Sequence, residues 1–123
     1  MSLTISCSKP DDIGLITVYN KTNENILISF SRKFPDTSYI KNEVYSVCSI
    51  FRPDSICKGY EKGWKSRFMQ NAFGTLIFFI ENADTIAKYG TDSLYANPEK
   101  FIYKKYVLTI DSMERTNWKL YVY

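Results

Sequence analysis

Histidine does not occur in this 123-residue chain. Its absence removes the usual general base near neutral pH and the commonest metal ligand, and so excludes any Ser-His-Asp or Cys-His catalytic arrangement. Long hydrophobic runs are missing too: each apolar stretch is too short to span a bilayer as a helix. Charge of one sign is barely in excess. Sixteen Lys and Arg against 13 Asp and Glu leave a net +3, spread over both halves, so composition makes no case for gripping a phosphate backbone. No repeat recurs at a fixed period.

What the chain does have is aromatic surface. Ten Tyr and eight Phe bring its aromatic content to 16%, well above that of disordered segments. A chain of this length folds as one domain and buries roughly two thirds of its unfolded surface. Its organising stretch is Thr75 to Ile80, which is β-branched and aromatic throughout. Ile77 and Phe79 fall on one alternate face, Leu76, Phe78 and Ile80 on the other, as in a strand covered on both sides at the centre of a sheet.

Taken in order, Ile13–Asn20 and Ile26–Ser31 read as an antiparallel hairpin across the polar connection Asn20–Asn25. Phe34-Pro35-Asp36-Thr37 predicts a type I turn within a loop over Arg32–Glu43. Val44–Phe51 and Ser55–Tyr60 flank a break at Pro53-Asp54 and read as a second hairpin. From Glu61 to Met69 the period changes, with Trp64 and Phe68 four apart, which predicts a short amphipathic helix over a sheet edge or barrel mouth. Asp84–Tyr89 predicts a helix capped by Asn82 or Asp84 and stopped by Gly90. Thr91–Lys100 reads as mostly loop, and Phe101–Ile110 as a long strand with Tyr106, Leu108 and Ile110 inward. The spacing Asp111-Ser112-Met113-Glu114 predicts a capping box and one helical turn, and Trp118–Tyr123 a final edge strand. Parallel crossovers lack room, so the fold class is mainly β: an antiparallel β-sandwich or curled sheet of about six strands with two or three short helices.

Leu3-Thr4-Ile5-Ser6-Cys7, followed by polar Ser8-Lys9-Pro10-Asp11-Asp12, has the form of a bacterial lipobox and tether. On this reading Cys7 carries lipid, Met1-Ser2-Leu3 stands in for most of an export signal, residues 1–12 are a flexible tether, and residues 13–123 are the β-rich domain. Two cysteines remain. Cys48 and Cys57 flank the turn signal Arg52-Pro53-Asp54-Ser55, so in an oxidising compartment they could pair across a hairpin, for roughly 2–3 kcal/mol of stability. Two buried free thiols filling core space are the alternative, and the register that decides between them is not legible in sequence.

The second half of the chain resembles a group of short, uncharacterised, lipobox-bearing proteins of gut Bacteroidetes. The resemblance rests on Asn82-Ala83-Asp84-Thr85 with Lys88-Tyr89, Phe101 to Lys105, Tyr106-Val107-Leu108-Thr109-Ile110, Asp111-Ser112-Met113 and Asn117-Trp118. In the first half Tyr19-Asn20 and Phe34-Pro35-Asp36-Thr37-Ser38 extend it over nearly the whole chain. It implies an all-β fold and a periplasmic or outer-membrane-associated protein, and it supplies no activity and no functional residue.

Carboxylates are the plentiful catalytic type that remains. Asp84, Asp92, Glu99, Asp111 and Glu114 could supply the acid and base of a small glycan hydrolase, which needs two carboxyl groups about 5–10 Å apart in a cleft. Each also has a local explanation as a helix cap, a capping-box partner or loop solvation. Asp92, Ser93 and Asn97 match no known Ca²⁺ loop, so no metal or cofactor is expected. Trp64, Tyr103 and Tyr121 are the candidate ligand contacts, since such rings stack on sugar faces or fill a partner's pocket; at helical and strand spacing Trp64 and Trp118 also suit a core. Tyr103, Tyr121 and Tyr123 beside Lys104 and Lys105 could stack bases, but the balanced charge argues against a nucleic-acid partner. The expectation is a non-enzymatic, exported envelope protein, tethered through Cys7, that binds a protein or a glycan or serves as an accessory subunit.

Overall fold

β-branched and aromatic stretches become strands throughout the computed structural model, which describes residues 15–60 and 63–123. The elements run β1 (Leu15–Asn20), β2 (Ile26–Ser31), β3 (Val44–Phe51), β4 (Ile56–Tyr60), α1 (Trp64–Met69), β5 (Thr75–Asn82), α2 (Ala83–Tyr89), α3 (Thr91–Ala96), β6 (Ile102–Thr109), α4 (Ile110–Arg115) and β7 (Lys119–Val122). A 3-10 turn, Pro98–Lys100, precedes β6. One sheet has the order β4-β1-β7 and the other β3-β2-β5-β6. They form a β-sandwich, as expected, without barrel closure. All pairings are antiparallel except that of β1 with β7, which is parallel.

β5 lies inside the larger sheet, with Phe78 opposite Phe30 of β2 and Tyr106 of β6. Its residues from Thr75 to Glu81 are all buried. Leu76, Phe78 and Ile80 join Ile16 and Val18 of β1, Ile28 and Phe30 of β2, and Leu120 and Val122 of β7 in the core between the sheets. The four-residue spacing of Trp64 and Phe68 brings both side chains into that core from α1. The Trp64 ring lies 5.3 Å from Phe30 and 5.8 Å from Phe78. Each such side chain contributes roughly 1.5–3 kcal/mol on burial.

The outer face of β5 is covered as well. Ile77 and Phe79 are fully buried, and Tyr39, from the segment between β2 and β3, packs edge-on against Phe79 at 5.0 Å. Ile86 of α2, Leu94 of α3 and Phe101 build a second apolar cluster with Leu27, Tyr39 and Ile102. α2 starts where the Asn82 side chain accepts the Thr85 N–H, and stops at Gly90, whose φ of +90° suits a residue without Cβ.

Several expectations need correction. Neither anticipated hairpin forms: β1 pairs with β4 and β7, β2 with β3 and β5, so both connections cross between sheets. Alternation reports which side of a strand is buried but not which neighbour supplies its hydrogen bonds. Thr91–Lys100 is helical over most of its length. The Phe34–Pro35 peptide is cis, and the Asp36 N–H bonds Lys33 O, so Pro35 stands third in the turn and the type I form is not adopted. α4 begins earlier than its acidic spacing implied, because Thr109 and Ser112 form the reciprocal capping box. The tether and Cys7 lie outside the described residues.

Candidate functional site

The polar connection after β1 is shaped by Asn20, which is fully buried. Its amide donates to Glu24 O at 2.9 Å, and its carbonyl accepts from Thr22 N at 2.9 Å and Thr22 Oγ1 at 2.6 Å. Such local side-chain bonds replace a backbone turn and fix the loop. The loop is then tied to the start of α2: Asn82 Nδ2 donates to Glu24 Oε1, and Asn25 Nδ2 to Asp84 Oδ1 at 3.2 Å. Residues 21–24 thus become one wall of a cleft.

That cleft, about 480 Å³, is lined by Lys21, Glu24, Asn82, Lys100, Tyr103 and Tyr123 among others. A second cleft of about 580 Å³ lies between α2 and the Pro98–Lys100 turn, with Tyr89, Ser93 and Asn97 in its walls. Both share Thr85, Lys100 and Phe101, so they adjoin. Each falls in the size range of small-molecule sites. Tyr89, Tyr103 and Tyr123 expose 57%, 44% and 69% of their surface, so the rings are accessible. Burial pushes the Tyr103 hydroxyl above the usual phenol range, and its interaction with Thr22 opposes that shift. Lys104 Nζ donates to the main-chain Tyr123 O at 3.0 Å, which ties the backbone of that residue to β6. Neither Lys21 nor Lys100 has a carboxylate partner among the described residues.

A different arrangement lies on the outer face of β5. Glu81 is 2% exposed, and Ser29 Oγ lies 3.2 and 3.1 Å from its two carboxyl oxygens. The Tyr39 hydroxyl also interacts with this carboxyl. Burial raises the carboxyl above the usual carboxylate range, and the Tyr39 and Ser29 hydroxyls pull it part of the way back. Burial also raises the Tyr39 phenol, helped by the interaction with Glu81. A cavity of about 180 Å³ lies beside these groups.

The residues singled out from sequence are not brought together. Tyr103 lies in the cleft. Tyr121 stacks on Tyr19, 4.6 Å between centroids, on the outer face of the three-stranded sheet. Trp64 must be corrected from ligand contact to core residue, since only 2% of it is exposed. Cys48 and Cys57 are bonded to each other; the bond links β3 to β4, hence sheet to sheet, rather than the two arms of a hairpin.

The carboxylates are scattered as well. Asp111 pairs with Arg115 at 2.6 Å and Glu114 with Lys65 at 3.2 Å, while Asp84 accepts from Asn25. Among the described residues, none that lines the cleft beneath Thr91–Lys100 carries a carboxylate. Among the described residues no three His, Cys, Asp or Glu side chains gather as a metal site, and no helix is long and apolar enough to cross a membrane.

Sequence reasoning missed Glu81 and the junction residues Thr85 and Lys100. The signal for Glu81 was present: it continues the Ile77, Phe79 alternation on a face already read as covered. Nothing local marks Thr85 and Lys100, which meet only through tertiary packing. No family model, no curated protein and no solved structure matches the chain.

Proposed function

We propose that this chain is a non-enzymatic binding or accessory domain of the bacterial cell envelope that holds a glycan along the Tyr89–Tyr103–Tyr123 cleft. The observation that carries this reading is the pair of adjoining concave sites with three accessible rings and polar side chains between them. Rings stack on the apolar faces of sugars, while amides, hydroxyls and ammonium groups meet the sugar hydroxyls. A peptide adding as a strand needs open main-chain groups. Here the walls offer few: the Lys21, Asn82, Lys100 and Phe101 N–H groups donate to Val122, Phe101, Asn97 and Pro98 carbonyls. The Cys48–Cys57 bond supports export, because such bonds persist in oxidising compartments.

Binding to a panel of immobilised glycans tests the reading, with wild type compared against Tyr103→Ala and Tyr123→Ala. Saturable binding to one glycan class, weakened at least about tenfold (about 1.4 kcal/mol) by Tyr103→Ala, is expected. Binding to none of them, or binding that neither substitution disturbs, overturns it. Export is tested separately: the precursor should label with palmitate at Cys7 and fractionate with membranes, whereas an unmodified Cys7 in the cytosol rules out the tether.

A further inference from the structure

Glu81 is a carboxyl group almost sealed from solvent, and no cation meets it among the described residues. Lys41 and Lys105, the lysines on rings near this face, are engaged elsewhere: Lys41 Nζ lies over the Tyr95 ring at 5.3 Å, and Lys105 Nζ donates to Thr37 O at 3.0 Å over the Phe79 ring. The groups facing the carboxyl from the packed elements are hydroxyls and hydrocarbon. Tyr39 comes from the segment between β2 and β3, Ser29 from β2, Ser46 from β3, Ile86 from α2, and Thr91 and Tyr95 from α3. Tyr39 and Tyr95 are the titratable ones. A buried carboxyl facing a cavity without a counter-ion is an uncommon arrangement.

The adjoining space, about 180 Å³, is comparable with the roughly 150 Å³ cavity that accommodates benzene. Its walls combine three features. Glu81 supplies a potential negative charge. Ser29, Ser46 and Thr91 supply hydroxyl oxygens that can accept hydrogen bonds. Tyr39 and Tyr95, 6.2 Å apart at 26° between planes, supply aromatic rings to the wall. Leu27, Ile86 and Leu94 complete the apolar end.

We propose that this cavity binds a small primary alkylammonium ion, its nitrogen on the Glu81 carboxylate and its alkyl group against Leu27, Ile86 and Leu94. A primary ammonium brings three N–H donors, which suits one carboxylate and neighbouring hydroxyls, where a quaternary ammonium would leave those acceptors unmet. No bond forms or breaks on binding; the single chemical change is loss of the carboxyl proton to solvent. Because burial favours the protonated acid in the empty protein, arrival of a cation expels that proton, and up to one proton leaves per ligand at mildly acidic pH.

The experiment is calorimetric titration of the whole protein with n-propylammonium chloride, repeated in buffers of different ionisation enthalpy and with 1-propanol as the uncharged probe of similar shape. Saturable binding of the amine, proton release that falls as pH rises, and affinity at least about tenfold weaker for 1-propanol and for Glu81→Gln are expected. If Glu81→Gln fails to fold, Tyr95→Leu, which leaves the carboxyl in place, should weaken the amine by a similar factor; the proton-release measurement needs no variant. Absence of saturable amine binding, equal affinity for 1-propanol, or undiminished binding by the folded variant would each overturn the proposal.

Discussion

Replacing Tyr39 by Phe removes one oxygen and keeps the ring on Phe79. The lost hydroxyl interacts with Glu81 and favours its charged form; this carboxyl, only 2% exposed, then retains the Ser29 contacts at 3.1 and 3.2 Å. Depriving a buried polar group of a partner costs about 1–3 kcal/mol. For a chain of this size that lowers Tm by about 4 °C per kcal/mol, or about 4–12 °C. The pH dependence follows from the raised carboxyl. The folded protein binds this proton more tightly than the unfolded chain, so the group's contribution is whole below the ordinary value of 4.5 and is lost as pH rises through the folded value. Tyr39→Phe removes a hydroxyl that holds the folded value down, so the loss extends to higher pH. The penalty should therefore be larger at about pH 7 than at about pH 4. Thermal and urea unfolding of wild type, Tyr39→Phe, Glu81→Gln and the double variant measures it, with a coupling above about 0.5 kcal/mol expected at neutral pH. A penalty independent of pH, together with zero coupling, would refute the reasoning.

Other perturbations address the frame. Phe78→Ala empties the middle of β5 between Phe30 and Trp64 and should cost about 3–5 kcal/mol in urea unfolding; a loss under about 1 kcal/mol would mean that the core is not centred there. Replacing Cys48 and Cys57 together by Ser removes a link closing a sequence separation of 9, for an expected loss of about 2–3 kcal/mol. Dithiothreitol should lower the Tm of wild type towards that of the double variant, and a Tm indifferent to reductant would contradict the cross-sheet bond.

The architecture was more legible than the site, for a physical reason. Strand character, and which side of each strand is buried, are written in near neighbours: Leu76, Phe78 and Ile80 against Ile77 and Phe79, or Trp64 and Phe68 at helical spacing. Pairing is not written locally. Polar turns at Asn20–Asn25 and Arg52–Ser55 serve a hairpin and a crossing between sheets equally well, so neither pairing can be read from its turn. The same limit applied to Trp64, where helical periodicity admits a core reading and a surface reading, and only the facing Phe30 and Phe78 decide. The cleft draws on the β1–β2 turn, α2, the Pro98–Lys100 turn, β6 and the last residue, and no local pattern announces such a meeting. Tyr103 could be named from its outward position; Thr85 and Lys100 could not.

The direct test of the binding claim is an amide chemical-shift titration with the glycan that binds best in the panel. Perturbations should concentrate at Thr85, Lys100, Phe101, Tyr103 and Tyr123 and saturate together. Shifts centred on the Tyr19–Tyr121 face, or no shifts at all, would contradict it.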